Sequence, residues 1–140
     1  MSRKRTVVAT AALLAGALVL AACGGGEGTS GGSGAGGEPL KIGFMGDLTG
    51  ESSGIVIPAR NGAKLAIDEY NATNPAVTLE LVEYDSQGSP DQAVPLIQQA
   101  IQQDRIVGLI GPGFSGESKA VGPILEQGKI PSVSQSATNP

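Results

Sequence analysis

A parallel α/β sheet with helices on both faces is the fold class that this sequence predicts. Between Leu40 and Pro140, four short apolar runs alternate with three segments of helical periodicity, and the connections between them are short. One of the runs, Ile106 to Ile110 (IVGLI), is apolar without interruption, as suits a strand covered on both sides.

Leu40 to Met45 (LKIGFM) is the first strand, closed by Gly46-Asp47. A Gly- and Ser-rich loop runs to Gly54. A helix follows from about Ile57 to Asn71, because Ala59, Ala63, Ala66, Ile67 and Tyr70 recur at spacings of three and four. Asn74-Pro75 ends it. Val77 to Tyr84 alternates: Val77, Leu79 and Leu81 share one face, Thr78 and Glu80 the other, the pattern of a partly exposed edge strand. Ser89-Pro90-Asp91 reads as a helix start, with a capping hydroxyl, proline at the first helical position and an acid in the first turn. That helix sets Val94, Ile97 and Ile101 on one face, with Ala93, Leu96 and Ala100 beside them. After the third strand, Gly111 to Gly116 turns into a helix around Glu117 to Gln127. Val121, Ile124 and Leu125 form its inner face, and Gly128 is placed to end it in the left-handed conformation. Ile130 to Ser134 is the fourth strand. No helix follows it, so the chain reads as a fragment of a longer fold.

In sheets of this kind, ligands bind beyond the carboxyl ends of the strands. Those ends carry Gly46 to Gly50, Tyr84-Asp85-Ser86, Gly111 to Ser115 and Ser134 to Thr138, all rich in glycine and hydroxyls.

The first 39 residues have a different character. Residues 1–22 have the layout of a secretory signal: a basic start (Arg3, Lys4, Arg5), an uncharged apolar run and small residues before the cleavage point. Leu20-Ala21-Ala22-Cys23 resembles the bacterial lipobox. That resemblance implies a diacylglyceryl group on the Cys23 sulfur and cleavage just before it, giving a lipid-anchored, exported protein. Residues 23–39 then form a tether. Gly24 to Gly37 holds nine glycines and no apolar side chain larger than Ala35, so it cannot offset its ordering entropy. The folded part is residues 40–140.

Composition excludes several functions. The chain has no histidine, which removes histidine-based catalysis, histidine metal sites and histidine pH switches. Its one cysteine rules out an internal disulfide. The basic residues beyond the leader are scattered among 13 acidic ones, the reverse of a nucleic-acid footprint. No metal or cofactor is expected, and the chain is not expected to be an enzyme.

Three motifs compete with that reading. Gly111-Pro112-Gly113-Phe114-Ser115-Gly116 satisfies GxGxxG after a strand and before a helix, but the next strand ends in Ser132 to Ser136 and offers no acid for a ribose. Gly113 to Glu117 approaches a GxSxG nucleophile elbow with Glu117 in the last position and no histidine to serve it. Asp47 and Asp85, at two strand ends, could frame a Mg²⁺ or phosphoacceptor pocket, or be two solvated loop acids.

Taken in order, KIGFMGDLTG, NGAKLAIDEYN, YDSQGSPDQAV, GLIGPGFSGES and IPSVSQSATNP resemble the N-terminal part of the branched-chain amino-acid-binding proteins, the leucine/isoleucine/valine-type solute-binding lipoproteins of ABC importers. The resemblance covers residues 40–140. It implies a partial first lobe of a type I periplasmic-binding-protein fold, in which two lobes close over an amino acid that is then delivered to permease subunits. By position it implies that Ser115, and Ser136 and Thr138 in the loop after the fourth strand, meet the ligand. Ser115 stands where a helix should begin, so open N–H groups and the helix dipole would favour a carboxylate there. Ile55 stands where members of the family often have a ligand-packing tyrosine, and the first-lobe disulfide of some members is absent. A sensor lobe of the same fold that signals ligand occupancy is the alternative, with an NAD-type enzyme behind it.

Overall fold

The computed structural model describes residues 37–139. The expected signal segment, Cys23 and nearly all of the expected tether lie outside the described residues.

The elements run β1 (Leu40–Gly46), α1 (Ser53–Ala72), β2 (Leu79–Asp85), α2 (Pro90–Gln99), a π-helical turn (Ala100–Asp104), β3 (Gly108–Ile110), α3 (Ser115–Gly128) and β4 (Ser132–Val133). The four strands form one sheet in the order β2-β1-β3-β4. Every pairing is parallel, with Ile42 opposite both Leu81 and Gly108. The chain therefore steps outward from β1 to β2, crosses back to β3, and continues to β4. The reversal between β1 and β3 is a topological switch point, where a crevice opens beyond the strand ends.

Alternation along the strands divides the core into two layers. Met45, Tyr84 and Leu109 point to the side covered by α2 and α3, packing with Ala93, Ile97, Ala100, Val121 and Leu125. Phe44 points the other way and is fully buried, as is Val56 of α1. Aliphatic and alanine side chains make up most of this core, with Phe44 and Tyr84 the aromatics among its buried residues.

Several boundaries differ from the expected ones. Helix α1 begins four residues early, at Ser53, because the Asp47 carboxylate accepts from the Ser52 N–H (2.8 Å) and pins the incoming loop. In β2, Val82 and Tyr84 pack on the α2 side while Leu79 and Leu81 are only half-buried, so the edge strand is covered over part of both faces. Ser89 is the N-cap of α2, yet its hydroxyl makes no capping bond; its carbonyl accepts from Gln92 and Ala93. Lys129, not Gly128, takes the left-handed conformation after α3 (φ 55°). Gly128 serves close packing instead: a Cβ there would lie 3.0 Å from Ile101 Cδ1.

Candidate functional site

Four loops leave the carboxyl ends of the strands, and carboxylates organise two of them. Asp47, buried just after β1, accepts from the N–H groups of Gly50 (2.6 Å) and Ser52 (2.8 Å). Asp85, ending β2, accepts from the N–H groups of Leu48 (2.9 Å) and Gln87 (3.1 Å) and from the Thr49 hydroxyl. Burial opposes ionisation of Asp85, but these hydrogen bonds outweigh it and hold the carboxyl below its ordinary value of 3.8. Both acids are thus occupied in shaping the β1–α1 loop. Among the described residues no cluster of three or more metal-ligating side chains forms.

The depressed Asp85 carboxyl sets a pH dependence. Its contribution to stability is complete above the unfolded value and is lost as pH falls through the lower folded value. Asp85→Asn should therefore lower the unfolding midpoint at neutral pH, and the gap from wild type should close as the pH is taken below about 4. A gap of constant size across an acid titration of the urea midpoint would show that the Asp85 charge is not what holds the loop.

A third carboxylate ties β2 to α3. Glu117 is completely buried. The Ser86 hydroxyl donates to its Oε1, and the Phe114 N–H donates to its Oε2 at 3.1 Å. The second contact is half of a capping box. Phe114, the N-cap, has no side-chain acceptor to complete it. The first-turn N–H groups of Ser115 and Gly116 therefore have no intrahelical acceptor. They lie at the positive end of a 14-residue helix. The sequence signal for Glu117 is its place three residues after Phe114, at the third position of the helix, where a capping glutamate belongs.

The loop after β4 folds against this helix start. The Ser134 hydroxyl donates to the Pro112 carbonyl (2.7 Å) and the Ser136 hydroxyl to the Gly113 carbonyl. The Asn139 N–H donates to Ser115 Oγ (3.1 Å). Ser115, Ser136 and Thr138, expected to act together, are thus held in two joined loops. Ser115 is half-buried at the start of α3, and Thr138 is exposed with no hydrogen bond among the described residues. Ser115 Oγ still has its proton to donate, and Thr138 can both donate and accept. The Gly111 to Gly116 turn has two of its carbonyls engaged by serines of the next loop.

A cavity of about 460 Å³ opens beside this point, among Asp47, Gly50, Ser52, Gln87, Gly88 and Phe114. A groove of about 410 Å³ runs between α1 and β2, where Lys64 pairs with Asp68 and the Asn71 amide bonds the Leu79 backbone. Lys64, Asp68, Asn71 and Glu83 along it are engaged in structure, so the strand-end loops remain the candidate site.

Solved structures share this fold. An isoleucine-bound LivJ, the branched-chain amino acid transporter substrate-binding protein of Streptococcus pneumoniae, is 27% identical, with a TM-score of 0.69 over 73% of this chain and 30% of its own. The leucine-binding protein LivK of Thermotoga maritima is 28% identical, with a TM-score of 0.64 over 71% of this chain and 28% of its own. A solute-binding protein of an ABC transporter from Rhodopseudomonas palustris, bound to 3,4-dihydroxybenzoic acid, is 25% identical, with a TM-score of 0.65 over 71% and 27%. This chain therefore spans less than a third of the length of these neighbours. None of the curated proteins matches it. The model of the family described as periplasmic binding protein matches residues 39–140, the whole of the sheet and its strand-end loops, and the chain belongs to that family.

Proposed function

We propose that this chain is the first-lobe part of an extracytoplasmic solute-binding lipoprotein. It captures a branched-chain or related amino acid and hands it to the permease of an ABC importer. One observation carries the reading. At the switch point, the open N–H groups of α3 stand beside the Ser115 hydroxyl, and a hydrogen bond from Asn139 draws the Thr138 loop onto them. That is a place for a carboxylate, with a hydroxyl next to it able to accept from an ammonium. The solutes bound by the neighbouring structures support a carboxylate in either case: isoleucine in one, a dihydroxybenzoate in another. An aromatic acid is the second reading, on the strength of that last neighbour.

A solute panel tests the choice. In the full-length protein, L-leucine, L-isoleucine or L-valine should raise the melting temperature and 3,4-dihydroxybenzoate should not. The opposite pattern would select the aromatic acid.

Anchoring is the other half of the proposal. Cys23, following Leu20-Ala21-Ala22, is the lipidated residue, and the Gly-rich tether separates the lipid from the domain. Cys23→Ala should leave an uncleaved precursor in the producing cell. An unmodified Cys23 found by mass spectrometry in the membrane-bound wild type would refute the anchor.

A further inference from the structure

Gln135 lies in the loop after β4, between Ser134 and Ser136, and is unlike the buried polar groups of the other strand-end loops. Buried Asp47, Ser86 and Glu117 all have hydrogen-bond partners. Both carboxamide atoms of Gln135, Oε1 and Nε2, are buried and have no partner among the described residues. The amide rests in a niche that two glycines create. A Cβ on Gly113 would lie 3.1 Å from Nε2, and a Cβ on Gly46, the last residue of β1, would lie 3.7 Å from it. The same glycines approach Val56 of α1, so the niche joins the ends of β1, β3 and β4 at the switch point.

An amide buried without partners is a local cost, because its oxygen and nitrogen forgo hydrogen bonds they would make in water. Methionine has a similar length and could fill the same niche without that cost. Packing alone therefore does not favour glutamine here, and the amide has meaning only through what it can pair with. The backbone on either side is pinned by Ser134 and Ser136 to the carbonyls of Pro112 and Gly113. The residue as a whole is only half-buried and stands three positions before Thr138 in the same loop, so its carboxamide needs only rotation about its own side-chain bonds to leave the niche.

We infer that Gln135 is a head-group residue of the solute site, its Oε1 accepting from the α-ammonium of an amino acid and its Nε2 donating to the α-carboxylate. This rests on the amino-acid reading above. A carboxamide offers an acceptor and two donors on one planar group and carries no charge of its own to desolvate. It therefore complements a zwitterion, and it meets only half of a carboxylic acid that lacks the amine.

The test uses the full-length protein, wild type, Gln135→Met and Gln135→Ala, titrated with L-leucine and with 4-methylpentanoic acid, the same molecule without its amino group. Solute-free melting temperatures are measured alongside. The expected result is a Gln135→Met melting temperature equal to or above wild type, with L-leucine affinity at least tenfold weaker in both variants. Their preference for L-leucine over 4-methylpentanoic acid should narrow by a similar factor. Unchanged L-leucine affinity in both variants would overturn the inference while leaving the amino-acid reading intact. A lower Gln135→Met melting temperature with both solutes weakened equally would overturn it too, by making Gln135 a packing residue. A wild type that binds no branched-chain amino acid would overturn both.

Discussion

Gly111→Ala should abolish the native fold. Gly111 follows β3 with φ at 109°, a conformation that side chains rarely adopt, and a Cβ built there would lie 2.2 Å from the Met45 carbonyl oxygen. That oxygen belongs to the backbone of β1, which is hydrogen-bonded to strands on both sides, and Met45 itself is fully buried. Neither partner can move away without breaking the sheet at the switch point. Conflicts of this kind, steric and conformational together, exceed about 4 kcal/mol, against about 5–15 kcal/mol for the whole stability of a typical domain. Circular dichroism and solubility of the variant are the readouts. A cooperative unfolding transition near that of the wild type would show that the turn after β3 has more room than its geometry gives it.

Glu117→Ala should cost about 3–5 kcal/mol, the second-largest effect. The substitution removes the acceptor of both the Ser86 hydroxyl and the Phe114 N–H, leaving two donors unsatisfied in the interior at about 1–3 kcal/mol each, and it opens a cavity besides. Glu117→Gln keeps the volume and one carbonyl acceptor, so its cost should be about half. Urea midpoints of the two variants separate these contributions. Because Glu117 fixes both the loop after β2 and the first turn of α3, solute affinity should fall with stability in the alanine variant. A Glu117→Ala protein as stable as wild type would mean that the buried carboxylate is not holding the two loops together.

The sequence carried the layer order of this fold through its periodicities. Ile106, Leu109 and the helical faces around Ile97 and Val121 lie where their apolar patterns placed them, because burial on a sheet repeats along the chain. The third strand is shorter than its apolar run, Gly108–Ile110 instead of Ile106 to Ile110, and Val107 before it is exposed. The strand order, with its reversal between β1 and β3, has no local signature and comes from the crossover of α2. Ends were less legible for a similar reason. Helix α1 starts where Asp47 catches the Ser52 N–H, and α3 runs through Gly128, which packs against Ile101, leaving the left-handed turn to Lys129. In the site, Ser115 could be placed at a helix start from its turn. Asp47 and Asp85 looked like free acids because a sequence does not show which loop N–H groups a carboxylate meets. Gln135 gave no signal at all: only the convergence of Gly46, Gly113 and Val56 makes its amide buried and unpaired.

Titration calorimetry of L-leucine, L-isoleucine and L-valine into the full-length protein, compared with Ser115→Ala and Thr138→Ala, tests most directly whether the joined loops after β3 and β4 hold an amino acid by its carboxylate. Wild type should bind at least one of the three. Each variant should bind it about 1–3 kcal/mol more weakly, since a charged group of the solute loses its partner, a fall of roughly 5- to 150-fold in affinity. Affinity equal to wild type in both variants would contradict the assignment and put the carboxylate in other loops.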